Sequence, residues 1–158
     1  MIGIRVFLQF LLIFGVLFSV RIQSNAASGA STYQDLRGLK AVDVVIESID
    51  ANECSVTTLE VETALRYILA GSRIKMMSGP SSYLYLNVNV LDDCRAADIK
   101  LSLFVPSTIV RTQRFHETII WEKESLIGGG SSSVGSRARE LISEFAKLFV
   151  VDWSAANP

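Results

Sequence analysis

Apolar and polar residues alternate through the middle of this chain with the two-residue period of half-buried strands. Residues 41–49 place Val42, Val44 and Ile46 on one side, with Asp43 and Glu47 opposite. Residues 83–91 (YLYLNVNVL) are the cleanest case. Leu84, Leu86, Val88 and Val90 face one way; Tyr83, Tyr85, Asn87 and Asn89 face the other. Residues 98–105 follow with Ile99, Leu101, Leu103 and Val105 inward and Lys100, Ser102 and Phe104 outward, until Pro106 ends the strand or marks an edge. Residues 74–77 read as a short strand. Residues 115–127 read as a last strand of open register, with either Ile119 and Trp121 or Thr118 and Ile120 facing the core.

Two segments switch to the helical period. Thr57-Thr58-Leu59-Glu60 is a capping box, a hydroxyl at the N-cap and a carboxylate three residues on. The helix it starts carries Val61, Ala64, Leu65, Ile68 and Leu69 on one stripe and stops at Gly71. Residues 134–153 carry a second stripe of Val134, Ala138, Leu141, Ile142, Phe145, Leu148, Phe149 and Trp153. The element order is β-α-(β)-β-β-β-α. Such a chain is expected to be an α+β two-layer sandwich, a mostly antiparallel sheet of four or five strands with both helices on one face.

Composition adds an address. Residues 1–30 hold Arg5, an apolar run over 6–20 and small residues around Ala26, Ala27 and Ala30, the pattern of a secretory signal peptide. The run is shorter than the ~20 residues that cross a bilayer comfortably; a retained membrane anchor closed by Arg21 is the alternative. Residues 31–40 read as a linker and 41–158 as a single domain, placed in the periplasm or secreted. Cleavage would remove Arg5 and Arg21 and no acid, so the 15 basic residues fall to 13 against 16 acids. That mild charge gives no footprint for nucleic acid or anionic lipid. Membrane contact is then expected only through the N-terminal segment, if it is kept.

The two cysteines, Cys54 and Cys94, are even in number and lie in a chain expected to meet an oxidising compartment, which favours a disulfide over two free thiols. The bridge tests the topology. If 74–77 were a full strand pairing with 83–91, Cys94 would fall at the opposite end from Cys54. If it is a short edge piece, 83–91 runs parallel to the first strand and both cysteines reach one end. The second arrangement is preferred. Two cysteines and the lone His116 do not make a metal site.

The YLYLNVNVL strand, the cysteine pair and the terminal FVVDWSAANP resemble small, uncharacterised secreted bacterial α/β proteins over most of residues 36–158. The helix-on-sheet order is more loosely similar to the N-terminal module of TolB and to penicillin-binding-protein activators. These resemblances imply an envelope setting and an accessory or binding role. They bring no catalytic residue with them.

The candidate chemistry is thin. Residues 128–133 (GGGSSS) lack the lysine of a phosphate loop and fail the nucleophile-elbow pattern, and His116 is the one available base. Asp92, Asp93 and Asp98 match no calcium loop and suit turns. The strongest candidate surface is the second face of the sheet: Tyr83, Tyr85, Asn87, Asn89, Lys100 and Phe104, joined by Trp121 in one register. Aromatic and amide groups together suit protein contacts or sugar stacking. The expectation is a non-enzymatic binding module without cofactor, its partner an envelope protein or a glycan.

Overall fold

The computed structural model describes residues 33–47, 49, 54–79, 82–91 and 94–158. The readings for residues 1–30, for the turn at 50–53 and for Asp92 and Asp93 lie outside them. Five strands form one sheet: β1 Ala41–Ile46, β2 Lys75–Met76, β3 Tyr83–Leu91, β4 Ala96–Ile109 and β5 Arg114–Gly128. Their spatial order is β2-β1-β3-β4-β5. β1 runs parallel to β2 and to β3, while the longer β3–β4 and β4–β5 ladders are antiparallel. The helices α1 (Thr58–Ala70) and α2 (Ser131–Ala156) cover the same face of this sheet. This is the expected α+β sandwich.

Local rules set the helices. Thr57 caps α1, its hydroxyl accepting the Glu60 N–H at 3.2 Å, and Gly71 ends it. The other half of the box is put to a different use, because the Glu60 carboxylate lies 3.6 Å from Arg139 of α2. α1 buries Val61, Leu65 and Leu69. α2 buries Val134, Ala138, Ile142, Phe145, Ala146, Phe149 and Trp153, while Leu148 sits at the rim of the stripe and is exposed. Gly135 lets α2 approach the cysteine turn: a Cβ there would lie 2.0 Å from the Cys54 carbonyl oxygen.

The short β2 settles the topology. With only two residues it leaves β3 free to run parallel to β1, so Cys54 and Cys94 meet at one end of the sheet. They are bridged, with their Cα atoms 5.5 Å apart. Closing a 40-residue loop stabilises the fold by about 4 kcal/mol in the chain-entropy account.

Residues 33–40 depart from the linker expectation. The chain makes a single 3₁₀ turn at Tyr33–Leu36, and Leu36 is completely buried. The C-terminal tail holds this segment down. The Trp153 indole N–H donates to the Leu39 carbonyl at 2.8 Å, the Asn157 amide donates to the Leu36 carbonyl at 3.0 Å, and the Gly38 N–H donates to Asn157 Oδ1 at 2.7 Å. The Arg73 guanidinium lies over the Trp153 ring, 5.7 Å from its centroid. The unusual tail sequence therefore acts as a clamp that closes the chain on its own first turn.

The last strand carries a bulge. Leu103 pairs with Trp121 but Phe104 pairs with Ile119, which leaves Ile120 as the extra residue. Side chains before and after it therefore follow opposite phases, which is why neither simple register fits. Trp121 turns inward, 1% exposed, and Ile119 turns outward. The placement of Trp121 on the outer face is thereby corrected. Its indole N–H donates to the Asp152 carboxylate at 2.9 Å, and its ring meets Phe149 edge-on, 5.1 Å between centroids.

Candidate functional site: the outer face of the sheet

Alternation carries every second side chain of β3 and β4 away from the helices, and among the described residues no element covers that side. Cross-strand register then does the assembling. Tyr83 stands opposite Phe104, Tyr85 opposite Ser102, and Asn87 opposite Lys100. Tyr83 and Phe104 stack with centroids 5.1 Å apart and planes 11° from parallel, and Tyr85 meets the same phenylalanine edge-on at 5.9 Å. Three aromatic rings thus form one half-buried platform around Phe104.

Carboxylates from the flanking strands bracket the platform. The Tyr83 hydroxyl donates to Glu117 of β5 at 2.8 Å, and the Tyr85 hydroxyl donates to Glu47, just past β1, at 2.7 Å. Asn87 donates a further hydrogen bond to the same Glu47 oxygen. These bonds favour the charged acid, so the phenol and then the amide hold Glu47 below its ordinary carboxyl value against a small opposing desolvation. The same bonds hold both phenols above the usual tyrosine range: hydrogen bonding to the carboxylate is the main cause, with desolvation and its charge behind.

Lys100 heads a second cluster. Its ammonium lies 3.4 Å from Glu122 and 3.5 Å from Glu124, and the buried Ser102 hydroxyl donates to Glu122 at 2.9 Å. Partial desolvation works to lower the lysine, but the two carboxylates outweigh it and the net shift is upward. Tyr83, Tyr85, Asn87, Lys100 and Phe104 are therefore brought together. Asn89 lies farther along β3, exposed and opposite Asp98, and Trp121 is on the other side of the sheet. The sequence reading missed Glu47, Glu117, Glu122 and Glu124. Only Glu47 carried a signal, since β1 alternation already set it opposite Val42 and Val44.

Chemically, the face offers flat aromatic area edged by fixed charge. The serine and histidine candidates are not assembled: His116 lies on the distal part of β5, opposite Ser107, while the serines of 131–133 follow the other end of that strand, at the start of α2. Among the described residues no group of three or more metal-binding side chains occurs. The α2 loop is short, and Gly130, not a serine, is the N-cap. Depressions lie on the helix layer instead. One of about 420 Å³ is an open, charged groove on α2 lined by Arg139, Glu140, Ser143, Glu144 and Lys147, and one of about 190 Å³ lies between α1 and α2 at Val61, Ala64 and Ile142.

Solved structures share parts of this layout. One is PelC, crystallised as an L103M dodecamer, from Paraburkholderia phytofirmans; it is 16% identical, with a TM-score of 0.44 over 72% of this chain and 90% of that one. Another is a minor lipoprotein from Acinetobacter baumannii, 13% identical, with a TM-score of 0.32 over 75% and 93% of the two chains. Likenesses this distant say nothing of what the chain binds or how it assembles. No protein-family model matches the chain, and no curated protein matches it significantly.

Proposed function

We infer that this chain is an extracytoplasmic, non-enzymatic module that binds an envelope protein through the outer face of its sheet. The carrying observation is the Tyr83–Phe104–Tyr85 platform, whose rings and phenols are already fixed by stacking and by Glu117 and Glu47. A surface ordered before binding loses little side-chain entropy when a partner arrives. An open sheet face with no described element over it suits a macromolecule better than a small ligand, which seeks a concave pocket. The Cys54–Cys94 bridge and the signal-like N-terminus support the extracytoplasmic address. A glycan contacting the same rings is the second reading, favoured by aromatic rings and hydrogen-bonding groups lying together on one open face.

Affinity capture from envelope extracts tests the reading, comparing the native chain with Tyr85→Ala/Phe104→Ala. Both side chains are on the open face, so the pair should keep its circular dichroism and its disulfide while losing the captured protein. Capture that persists unchanged sinks the proposal. Capture that is lost only on pretreating the extract with glycosidase favours the glycan.

A further inference from the structure

β4 and β5 outrun the rest of the sheet. β3 begins at Tyr83, opposite Phe104, so the five pairs from Val105↔Thr118 to Ile109↔Arg114 continue as a two-stranded arm. At ~3.4 Å per residue the arm reaches about 17 Å beyond its neighbour. A four-residue loop, 110–113, closes it, with the Thr112 and Gln113 N–H groups both donating to the Ile109 carbonyl.

Three properties of the tip belong together. It is apolar and exposed: Val110 is 91% exposed, Phe115 83% and Ile109 43%. It is basic: residues 105–118 hold Arg111, Arg114 and His116, and their one acid, Glu117, sits at the root of the arm, where it accepts from Tyr83. Neither arginine of the tip pairs with a carboxylate among the described residues. Whole-chain composition hides this, because 15 basic residues are averaged against 16 acids. The position is also informative. β1 starts beside β3 at this end, and the 3₁₀ turn before it touches β5, so the described residues begin, at Tyr33, near the end where the arm leaves. Under the retained-anchor alternative, twelve residues join the apolar run of residues 6–20 to Tyr33; a cleaved chain loses the run and keeps the tip.

We propose that the tip of this arm, Ile109, Val110, Arg111, Arg114 and Phe115, docks on an anionic lipid surface. The apolar side chains enter the headgroup boundary and the two arginines meet lipid phosphates. Apolar and aromatic groups flanked by arginine are the composition that settles at a membrane–water interface. An acidic protein surface would satisfy the arginines equally, but it would leave the fully exposed Val110 at a charged contact. The tip at 109–115 is separate from the aromatic platform on β3 and β4, whose link to the arm is the Tyr83–Glu117 hydrogen bond at its root.

The test uses the full chain carrying Phe115→Trp. The native Trp121 and Trp153 are buried, so the new indole reports the tip. Expected is a blue-shifted emission, quenched by brominated acyl chains, on vesicles containing phosphatidylglycerol and not on phosphatidylcholine alone. Arg111→Gln and Arg114→Gln in that background should each weaken vesicle affinity about fivefold, with circular dichroism unchanged. Emission that stays unshifted and unquenched on anionic vesicles overturns the proposal. So does quenching that is equal on both lipids and indifferent to the arginines. A blue shift that appears without vesicles and rises with protein concentration, alongside a dimer in sedimentation, overturns it in favour of a second copy.

Discussion

The two strands β4 and β5 form one continuous ladder, yet its two halves obey different chemistry. Beside β3, from Ala96 to Phe104, one face is sealed by α2 and holds Ile99, Leu101, Leu103 and Trp121. Beyond it the same alternation continues but burial fades: Val105 is half-buried against the core, Ser107 is half-buried, and Ile109, Val110 and Phe115 stand in water. Periodicity makes a strand; a neighbour makes a core. The bulge at Ile120 sits at the boundary and turns the phase there.

Substitution on either side of that boundary should break the ladder unequally. Trp121→Ala removes a buried ring that packs on Phe149 and satisfies Asp152, and should lose about 3–5 kcal/mol in a urea melt. Phe115→Ala, six residues away on the same strand, should stay within ~0.5 kcal/mol. Comparable losses at both would mean that the distal arm is packed against something in solution.

Amide exchange sharpens the same contrast. Ladder amides near Leu101 and Trp121 should open only with global unfolding. Those from Ser107 to Ile109 and from Arg114 to His116 should exchange through local fraying, because an isolated two-stranded hairpin is marginal in water. Anionic vesicles should slow the second set and leave the first alone.

How much of this was legible beforehand follows the same line. The YLYLNVNVL strand showed its two faces because β4 pairs with it along its whole length and its alternation is unbroken, and Thr57 and Gly71 marked α1 because caps are local chemistry. Trp121 was not legible, since one extra residue in β5 reverses every later side chain. The arm was not legible either: Val105, Ser107 and Ile109 alternate as their predecessors do, and only the start of β3 at Tyr83 leaves Ile109 exposed where Leu101 and Leu103 are buried. Glu47 and Glu117 bracket the platform from positions 70 residues apart, a pairing no local pattern contains. The linker expectation failed for a similar reason, because Leu36 is held by Asn157 from the far end of the chain.

That clamp sits at the same end of the sheet as the arm and gives the next test. Asn157→Ala leaves the Gly38 N–H without its partner and removes one of two donors from the carbonyls of Leu36 and Trp153, which keep the backbone N–H groups of Leu39 and Asn157, and should lose about 1 kcal/mol. The arm should be untouched, its exchange and its vesicle binding unchanged. An arm loosened by Asn157→Ala would mean that the 3₁₀ turn against β5 braces its root.

The smallest expected effect concerns the platform. Glu47 titrates below its ordinary value because Tyr85 and Asn87 donate to it, so its contribution to stability is present above the unfolded carboxyl value and lost as pH falls through the folded one. Tyr85 titrates high through the same bond, so its contribution is complete below the ordinary phenol value and lost as pH rises through the folded one. Both groups reach solvent, which keeps the effect on stability slight and makes titration the better readout. Glu47→Gln still offers Tyr85 an oxygen but no charge, so the Tyr85 phenol should fall back toward its usual range, followed by ring-carbon resonances at alkaline pH. Tyr83, held by Glu117 on the opposite strand, should keep its raised value. If both phenols fall together, Phe104 joins them into one unit and the face responds as a whole; if only Tyr85 moves, each carboxylate fixes its own ring and the two edges of the platform can be altered separately.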